Sequence, residues 1–201
     1  MSDLWERADS IVKQIGILGG TFNPIHIGHL AIAQTVLDKL GLDKIVFVPS
    51  FFPPHKSEKN LVPAADRLRM VQLAVEGNSG FEVSDFEIQK GGKSYSVDTV
   101  THFTQILPPK SKIFFIIGED AVAGLPDWRR INDLAAMAIF VVVNRKGFEH
   151  AKSAIPARSI EMPALDISSS EIRKKIRAGE SIQYLVPEKV AQYIQKNDLY
   201  Q

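Results

Sequence analysis

The chain has 201 residues, of which 45% are hydrophobic and 23% are charged, and its formal net charge is +1. These values are typical of a globular protein of one large domain, and they exclude the strongly basic composition of many nucleic-acid-binding proteins. The absence of cysteine excludes disulfides and thiol catalysis and is compatible with a reducing cytoplasm. Residues 1–13 carry charged side chains where a signal peptide needs an apolar core, and no stretch approaches the roughly 18–20 apolar residues that span a bilayer. We therefore expect a soluble cytoplasmic protein with no membrane or nucleic-acid partner.

Predicted strands and helices alternate along most of the chain. Apolar runs predict strands at 15–18, 45–48, 81–88, 113–117, 138–143 and 158–161. Apolar residues at helical spacing predict helices near 30–40, 68–75, 97–107, 169–178 and 187–196, and Gly41 and Gly77 end the first two. The alternation and the continuous apolar runs predict an α/β fold with a doubly wound parallel sheet and a small C-terminal helical part. We expect one domain over 1–201, with an N-terminal extension at 1–13 and the helical part at about 165–201.

The segment after the first predicted strand, GGTFNPIHIGH at 19–29, is typical of a phosphate-binding turn. Its glycines let backbone N–H groups approach an anion, and a helix start adds unpaired N–H donors and a positive dipole end. If that helix begins near Gly28, His26 and His29 can both face the same anion. Two histidines supply only half of a structural zinc site, so zinc is disfavoured in a chain without cysteine. The segment also lacks a Walker A lysine and the G-x-G-x-x-G spacing of dinucleotide-binding folds.

Three further strand exits carry groups that suit phosphate, ribose or another anion. They are PPHK at 53–56, GED at 118–120 and NRK at 144–146. In a doubly wound sheet, ligands bind beyond the carboxyl ends of the strands. The sequence therefore predicts a nucleotide site at this edge.

A second phosphate-compatible element is ISSSEIR at 167–173. Ser168 and Glu171 have the spacing of a capping box, which by itself explains both residues as the start of a helix. It does not explain the hydroxyls of Ser169 and Ser170, or Arg173 one turn later. Hydroxyls and N–H groups at a helix N-terminus beside a guanidinium suit a triphosphate.

The two elements resemble the signatures of the nucleotidyltransferase superfamily, H-x-G-H at 26–29 and I-S-S-T-x-I-R at 167–173. Ser170 stands where threonine is usual and keeps the hydroxyl. Three shorter segments, PPHK at 53–56, SYSVDT at 94–99 and LPDW at 125–128, make the chain look most like the bacterial nicotinate-nucleotide adenylyltransferases. The resemblance runs from about Gly16 to the C-terminus with the order of the motifs retained, and it implies a Rossmann-like nucleotidyltransferase fold.

The resemblance implies adenylyl transfer from ATP to nicotinate mononucleotide, giving deamido-NAD and pyrophosphate, a step of NAD biosynthesis. Mg²⁺ is expected to accompany ATP, and no protein side chain is assigned to a metal. The residues carried over as catalytic are His26, His29 and Arg173. Those expected to bind ATP are Gly19, Gly20, Thr21, Phe22, His26, Gly28, His29, Gly118, Asp120, Ser169, Ser170 and Arg173. Those expected to bind nicotinate mononucleotide are Gly20, Asn23, His55, Lys56, Ser96, Thr99, Leu125, Trp128 and Arg129.

Several points stay open from the sequence. The family often has tyrosine at the position of Arg129, and we hypothesise that this arginine favours the carboxylate of nicotinate over the neutral amide. Another adenylyltransferase of the superfamily, such as one that uses pantetheine phosphate, remains an alternative. A non-catalytic nucleotide-binding regulator is a less favoured alternative, because both histidines and the arginine are present. A homodimer is compatible with the sequence.

Overall fold

The computed structural model describes residues 12–53, 61–145 and 154–201. Within them, every pairing in the six-stranded sheet is parallel, and the strand order is β3-β2-β1-β4-β5-β6. The strands are β1 (Gln14–Gly20), β2 (Lys44–Pro49), β3 (Phe81–Val83), β4 (Lys112–Gly118), β5 (Ile139–Arg145) and β6 (Ala157–Met162). The order reverses between β1 and β4, the position at which doubly wound sheets bind ligands. The predicted α/β Rossmann-like fold is confirmed.

Helices cover both faces of this sheet. They are α1 (Ile27–Leu40), α2 (Ala64–Val75), α3 (Phe86–Lys90), α4 (Ser96–Ile106), α5 (Ile131–Met137), α6 (Ser169–Arg177) and α7 (Glu188–Lys196), and a 3₁₀ segment occupies Glu119–Asp127. Apolar side chains of α1, α2, α6 and α7 pack on one face. Those of α4, α5 and the 3₁₀ segment pack on the other. The interiors of β1, β2, β4 and β5 are therefore buried on both sides, which explains their continuous apolar runs in the sequence.

The strand predicted at 81–88 is wrong in its second half. Only Phe81–Val83 pairs with β2, and the helix α3 follows at Phe86–Lys90. The amide of Phe86 donates to Oγ of Ser84, a short turn that ends the strand. Glu87 of α3 is buried and accepts a hydrogen bond from Thr99 of α4, so a tertiary contact favours the helix.

Two elements between β4 and β5 were not predicted, namely the 3₁₀ segment and α5. Only Val122, Leu125 and Leu134 of this region are deeply buried, which leaves too few apolar positions to define a period. Of the predicted N-terminal extension, residues 1–11 lie outside the described part. Among the helices that the structure describes, none is long and apolar enough to cross a membrane.

Candidate functional site

A cavity of about 1080 Å³ lies at the carboxyl edge of the sheet, where the strand order reverses. It collects residues from the exits of β1, β4 and β5 and from the start of α6. Most of the predicted ATP contacts line it, and these are Gly20, Thr21, Phe22, His26, His29, Gly118, Asp120, Ser169, Ser170 and Arg173. Asn23, predicted to contact nicotinate mononucleotide, lines it as well. Segments far apart in sequence thus meet in one cavity.

His26 and His29 form the start of α1. His26 is the N-cap residue, with an extended backbone, and its ring stacks on that of His29 with a centroid distance of 3.7 Å. The backbone N–H of His26 donates to Nδ1 of His29 at 3.2 Å. A neutral His29 must therefore carry its proton on Nε2. The expected helix start near Gly28 is confirmed, and one histidine fixes the tautomer of the other.

Two glycines keep this turn compact. A Cβ atom at Gly28 would lie 3.0 Å from Nδ1 and 3.1 Å from Cε1 of His26. A Cβ at Gly20 would lie 2.9 Å from the ring of Phe22, which is buried and meets His29 edge-on at 5.1 Å. Side chains at either glycine would therefore displace the aromatic and imidazole rings of the turn.

The environment of His26 keeps its ring neutral. Burial lowers the pKa of His26 from 6.5 to about 4. The positive end of the α1 dipole acts in the same direction. Nδ1 of His26 lies beside the His29 amide as in a capping box, but it is buried without a hydrogen bond of acceptable geometry. At neutral pH this imidazole is a hydrogen-bonding group and not a cation.

The opposite wall is the first turn of α6. Oγ of Ser168 accepts a hydrogen bond from the amide of Glu171 at 3.2 Å, so the predicted cap is confirmed. The amides of Ser169 and Ser170 lie in this first turn, which has no intrahelical acceptors for them. The hydroxyl of Ser169 donates to the carbonyl of Pro24 at 2.9 Å, which attaches α6 to the loop after β1.

Arg173 joins the same two elements. Its Nη1 donates to the carbonyl of Asn23 at 2.8 Å and its Nη2 donates to Oγ of Ser170 at 3.1 Å. Its Nε is buried without a partner among the described residues. Burial lowers the pKa of Arg173, but a guanidinium stays charged at neutral pH. The arginine thus brings a fixed positive charge to the cavity.

The C-terminal end of the chain makes a hydrogen bond to the loop after β1. The hydroxyl of Tyr200 donates to Oδ1 of Asn23 at 3.0 Å, and the amide of Val62 donates to the same oxygen at 3.3 Å. Burial raises the pKa of Tyr200, so it remains a neutral donor. Its position 177 residues from Asn23 in sequence explains why no local pattern indicates this contact.

Residues at the ends of β4 and β5 form another part of the cavity wall. A Cβ at Gly118 would collide with the carboxylate of Asp120, so glycine allows that carboxylate to fold back over the strand end. Nδ2 of Asn144 donates to Oγ of Ser159 at 2.6 Å, which ties the end of β5 to β6. Asp120 and Asn144 both line the cavity.

The other described residues that were predicted to bind nicotinate mononucleotide do not line this cavity. Ser96 is the first residue of α4, and the guanidinium of Arg129 lies 4.6 Å from the ring centroid of the preceding Tyr95. Trp128 is half-buried and meets Phe115 edge-on. Thr99 and Leu125 are almost completely buried.

Two of the predicted ATP contacts lie outside the cavity wall, and two predicted contacts of nicotinate mononucleotide are not described by the structure. Gly19 and Gly28 are not part of the cavity wall, because Gly19 pairs with Val48 in the sheet and Gly28 supports the ring of His26. His55 and Lys56 lie outside the described residues.

Arg67 of α2 is a second residue near the site, besides Tyr200, that the sequence analysis missed. Its side chain is completely buried and donates to main-chain carbonyls of the loops after β1 and β2. A signal was available, because Arg67 shares helical spacing with the buried Met70, Val71 and Val75. A charged residue on the buried face of a helix indicates a specific polar role.

Comparisons with known proteins agree with this geometry. Residues 17–175 match the cytidylyltransferase-like family. A probable nicotinate-nucleotide adenylyltransferase of Lactiplantibacillus plantarum is 44% identical over 189 residues, which cover 94% of this chain and 89% of the relative. One of Dehalococcoides mccartyi is 40% identical, over 92% of this chain and 96% of the relative. The fold is similar to that of the nicotinic acid mononucleotide adenylyltransferase of Plasmodium falciparum complexed with NaAD, with a TM-score of 0.78, 22% identity and coverage of 94% and 97% of the two chains.

Proposed function

Because this chain belongs to the family of nicotinate-nucleotide adenylyltransferases, we propose that it transfers the adenylyl group of ATP to nicotinate mononucleotide, giving deamido-NAD and pyrophosphate in NAD biosynthesis. One observation carries the proposal. The N-termini of α1 and α6 open on the same cavity, with His26, His29 and Arg173 beside them. Two helix N-termini and a guanidinium concentrate hydrogen-bond donors and positive potential where a triphosphate would lie.

The reaction needs positioning more than proton transfer. A phosphate oxygen of nicotinate mononucleotide, already ionised at neutral pH, attacks the α-phosphorus of ATP. The new P–O bond forms as the bond from the α-phosphorus to its bridging oxygen breaks, and pyrophosphate leaves with that electron pair. The groups of the cavity therefore act by aligning the two phosphates and stabilising the charge that develops on them.

We assign the phosphate contacts as follows. Nε2–H of His29 and the neutral ring of His26 bind near the α- and β-phosphates. The amides and hydroxyls of Ser169 and Ser170, together with Arg173, bind the β- and γ-phosphates. The Ser169 hydroxyl and Nη1 of Arg173 already hold the loop after β1, and Nη2 of Arg173 donates to Oγ of Ser170 within α6. The donors of α6 that remain for phosphate are the amides of Ser169 and Ser170, the Ser170 hydroxyl and the other N–H groups of Arg173, including Nε, which has no partner among the described residues.

Mg²⁺ is proposed to arrive with the ATP phosphates. Among the described residues there is no group of three or more histidine, cysteine or carboxylate side chains that could hold a metal ion. A cation held mainly by phosphate oxygens and water fits this donor set, because Mg²⁺ keeps several waters when it binds nucleotides. When bound, it supplies charge neutralisation on the phosphates. We propose that Asp120, which lines the cavity, contacts the ribose of ATP.

The acceptor is proposed to lie between the exits of β1 and β2 and the start of α4. Ser96 and Trp128 would frame the pyridine ring, with Arg129 near the carboxylate. His55 and Lys56 remain predicted contacts of nicotinate mononucleotide. Arg129→Ala should reduce the preference for nicotinate over nicotinamide mononucleotide, measured as the ratio of the two kcat/KM values. An unchanged ratio would contradict a role for this guanidinium in selectivity.

Pyrophosphate release tests the function directly. The protein is incubated with ATP and Mg²⁺ and is offered nicotinate mononucleotide, nicotinamide mononucleotide or pantetheine phosphate in separate reactions. Release with nicotinate mononucleotide, and formation of deamido-NAD, is the expected result. Release with pantetheine phosphate alone would favour the alternative adenylyltransferase, and release with none of the three would favour a nucleotide-binding regulator. A cytoplasmic location and a homodimer remain predictions.

A further inference from the structure

Arg67 is a buried cation whose hydrogen bonds to the described residues all go to main-chain carbonyls. Its side chain is 0% exposed, and no carboxylate pairs with it among the described residues. Its nitrogens donate to the carbonyls of Val62 at 3.1 Å, Thr21 at 2.8 Å, Ser50 at 2.6 Å and Phe51 at 2.8 Å. Burying a charge is costly unless hydrogen bonds replace its hydration, and this planar fork makes four. These four main-chain acceptors indicate that the guanidinium fixes the positions of the backbone segments around it.

The four carbonyls belong to different parts of the site. Thr21 lines the nucleotide cavity. Ser50 and Phe51 form the exit of β2, immediately before the segment that carries His55 and Lys56. Val62 follows that segment and also donates to the side chain of Asn23. Arg67 therefore holds the phosphate-binding turn and both flanks of the 54–60 segment at one point.

The connection continues from Phe51 to the start of α4. The amide of Phe51 donates to Oγ of Ser94 at 2.9 Å, and the amide of Ser94 donates to the carbonyl of Phe52 at 3.0 Å. Ser94 lies two residues before Ser96, the first residue of α4. A short path of hydrogen bonds thus runs from the turn after β1, through Arg67 and the exit of β2, to the segment assigned above to the nicotinate ring.

We infer that Arg67 is a positioning residue for the acceptor nucleotide, because it fixes the distance between the phosphate-binding turn and the wall formed by 51–53 and 94–96. The inference rests on the proposed function. Arg67 does not line the cavity, so it acts through the carbonyls that it holds. In-line attack requires the acceptor phosphate to lie on the axis of the bond that breaks, and small displacements of one wall lower its rate.

Arg67→Lys and Arg67→Gln test the inference, with Arg69→Gln as the matched control. Arg69 lies on the same helix but is exposed, and its Nη1 donates to Oε1 of Gln72 at 3.4 Å. The measurements are kcat and the KM values for both substrates, with circular dichroism to confirm the fold. In both Arg67 variants we expect kcat/KM for nicotinate mononucleotide to fall roughly 10- to 100-fold, while the KM for ATP changes by less than about twofold. Lysine keeps the charge but lacks the planar fork, so it should not rescue activity.

Ser94→Ala provides a milder variant in case the Arg67 variants do not fold. It leaves Arg67 in place and removes the Ser94 hydroxyl, which accepts from the Phe51 amide and also bonds to the side chain of Glu87. We expect kcat/KM for nicotinate mononucleotide to fall by a smaller factor, again with little change in the KM for ATP. Equal increases in both KM values, or unchanged kinetics in folded variants, would overturn the inference. These results differ from failure of the proposed function, in which the unaltered protein itself would not use nicotinate mononucleotide.

Discussion

Acidification should destabilise this protein through His26, whose neutral ring is buried at the start of α1. The perturbation is a change from about pH 7.5 to about pH 5, where an exposed histidine is mostly protonated. Burial lowers the pKa of His26 from 6.5 to about 4 in the folded state. Between these two values the unfolded chain binds a proton that the folded protein does not, so falling pH stabilises the unfolded state relative to the folded state.

The magnitude follows from the size of the pKa difference. A pKa shift of this size lowers the free energy of unfolding by about 3 kcal/mol once the pH is below about 4. At about pH 5 the loss in the free energy of unfolding should be roughly 2 kcal/mol. Above the ordinary pKa of histidine, His26 causes no such loss. Since a domain is typically stable by only about 5–15 kcal/mol, the effect should be large enough to measure.

Urea unfolding at the two pH values provides the assay. His26→Asn removes the titrating group and keeps a residue that is favourable at an N-cap, so the variant should lose about 2 kcal/mol less than the parent on acidification. His102→Asn is the matched control, because His102 is less buried and its pKa is lowered in the same direction, so this variant should keep most of the pH dependence. Equal losses in the parent and in His26→Asn would refute the reasoning.

Three further substitutions test separate contacts. His29→Ala should lower kcat far more than it raises KM, because its contact should strengthen in the transition state; a raised KM with unchanged kcat would refute that role. Gly28→Ala should lower kcat by about tenfold, since the new Cβ would lie 3.0 Å from Nδ1 of His26, while unfolding in urea shows no loss of stability. Thr99→Val should lower the free energy of unfolding by about 1–3 kcal/mol, because the buried carboxylate of Glu87 loses a hydrogen-bond donor; a smaller loss would show that this bond is not needed.

The sheet could be predicted because each strand carries its own signal. The runs at 113–117 and 138–143 are apolar on both faces, and the structure pairs them as β4 and β5. The segment at 81–88 was predicted as one strand because Phe86 and Ile88 are residue types common in strands. What decides its structure is the contact between Glu87 and Thr99, which joins residues 12 positions apart. Contacts of this kind have no local pattern.

The two phosphate-binding elements were found for a similar reason. The residues that matter in 19–29 and 167–173 are close together in sequence, so their spacing could be read directly. The links between them were not visible, since Ser169 and Arg173 hold the carbonyls of Pro24 and Asn23 across about 150 residues. Arg67 was missed although its position on an apolar helical face is visible in the sequence.

The charges at this site are divided between two kinds of group. His26 stays neutral down to about pH 4, so it cannot supply positive charge at neutral pH. That charge comes from guanidinium groups, Arg173 at the cavity wall and Arg67 beneath the turn, which do not titrate in this range. Because Arg67 and Arg173 keep their charge and His26 stays neutral, these three groups present the same charges to the phosphates across the physiological pH range. The arrangement suits a reaction whose nucleophile is already ionised and needs alignment without a general base.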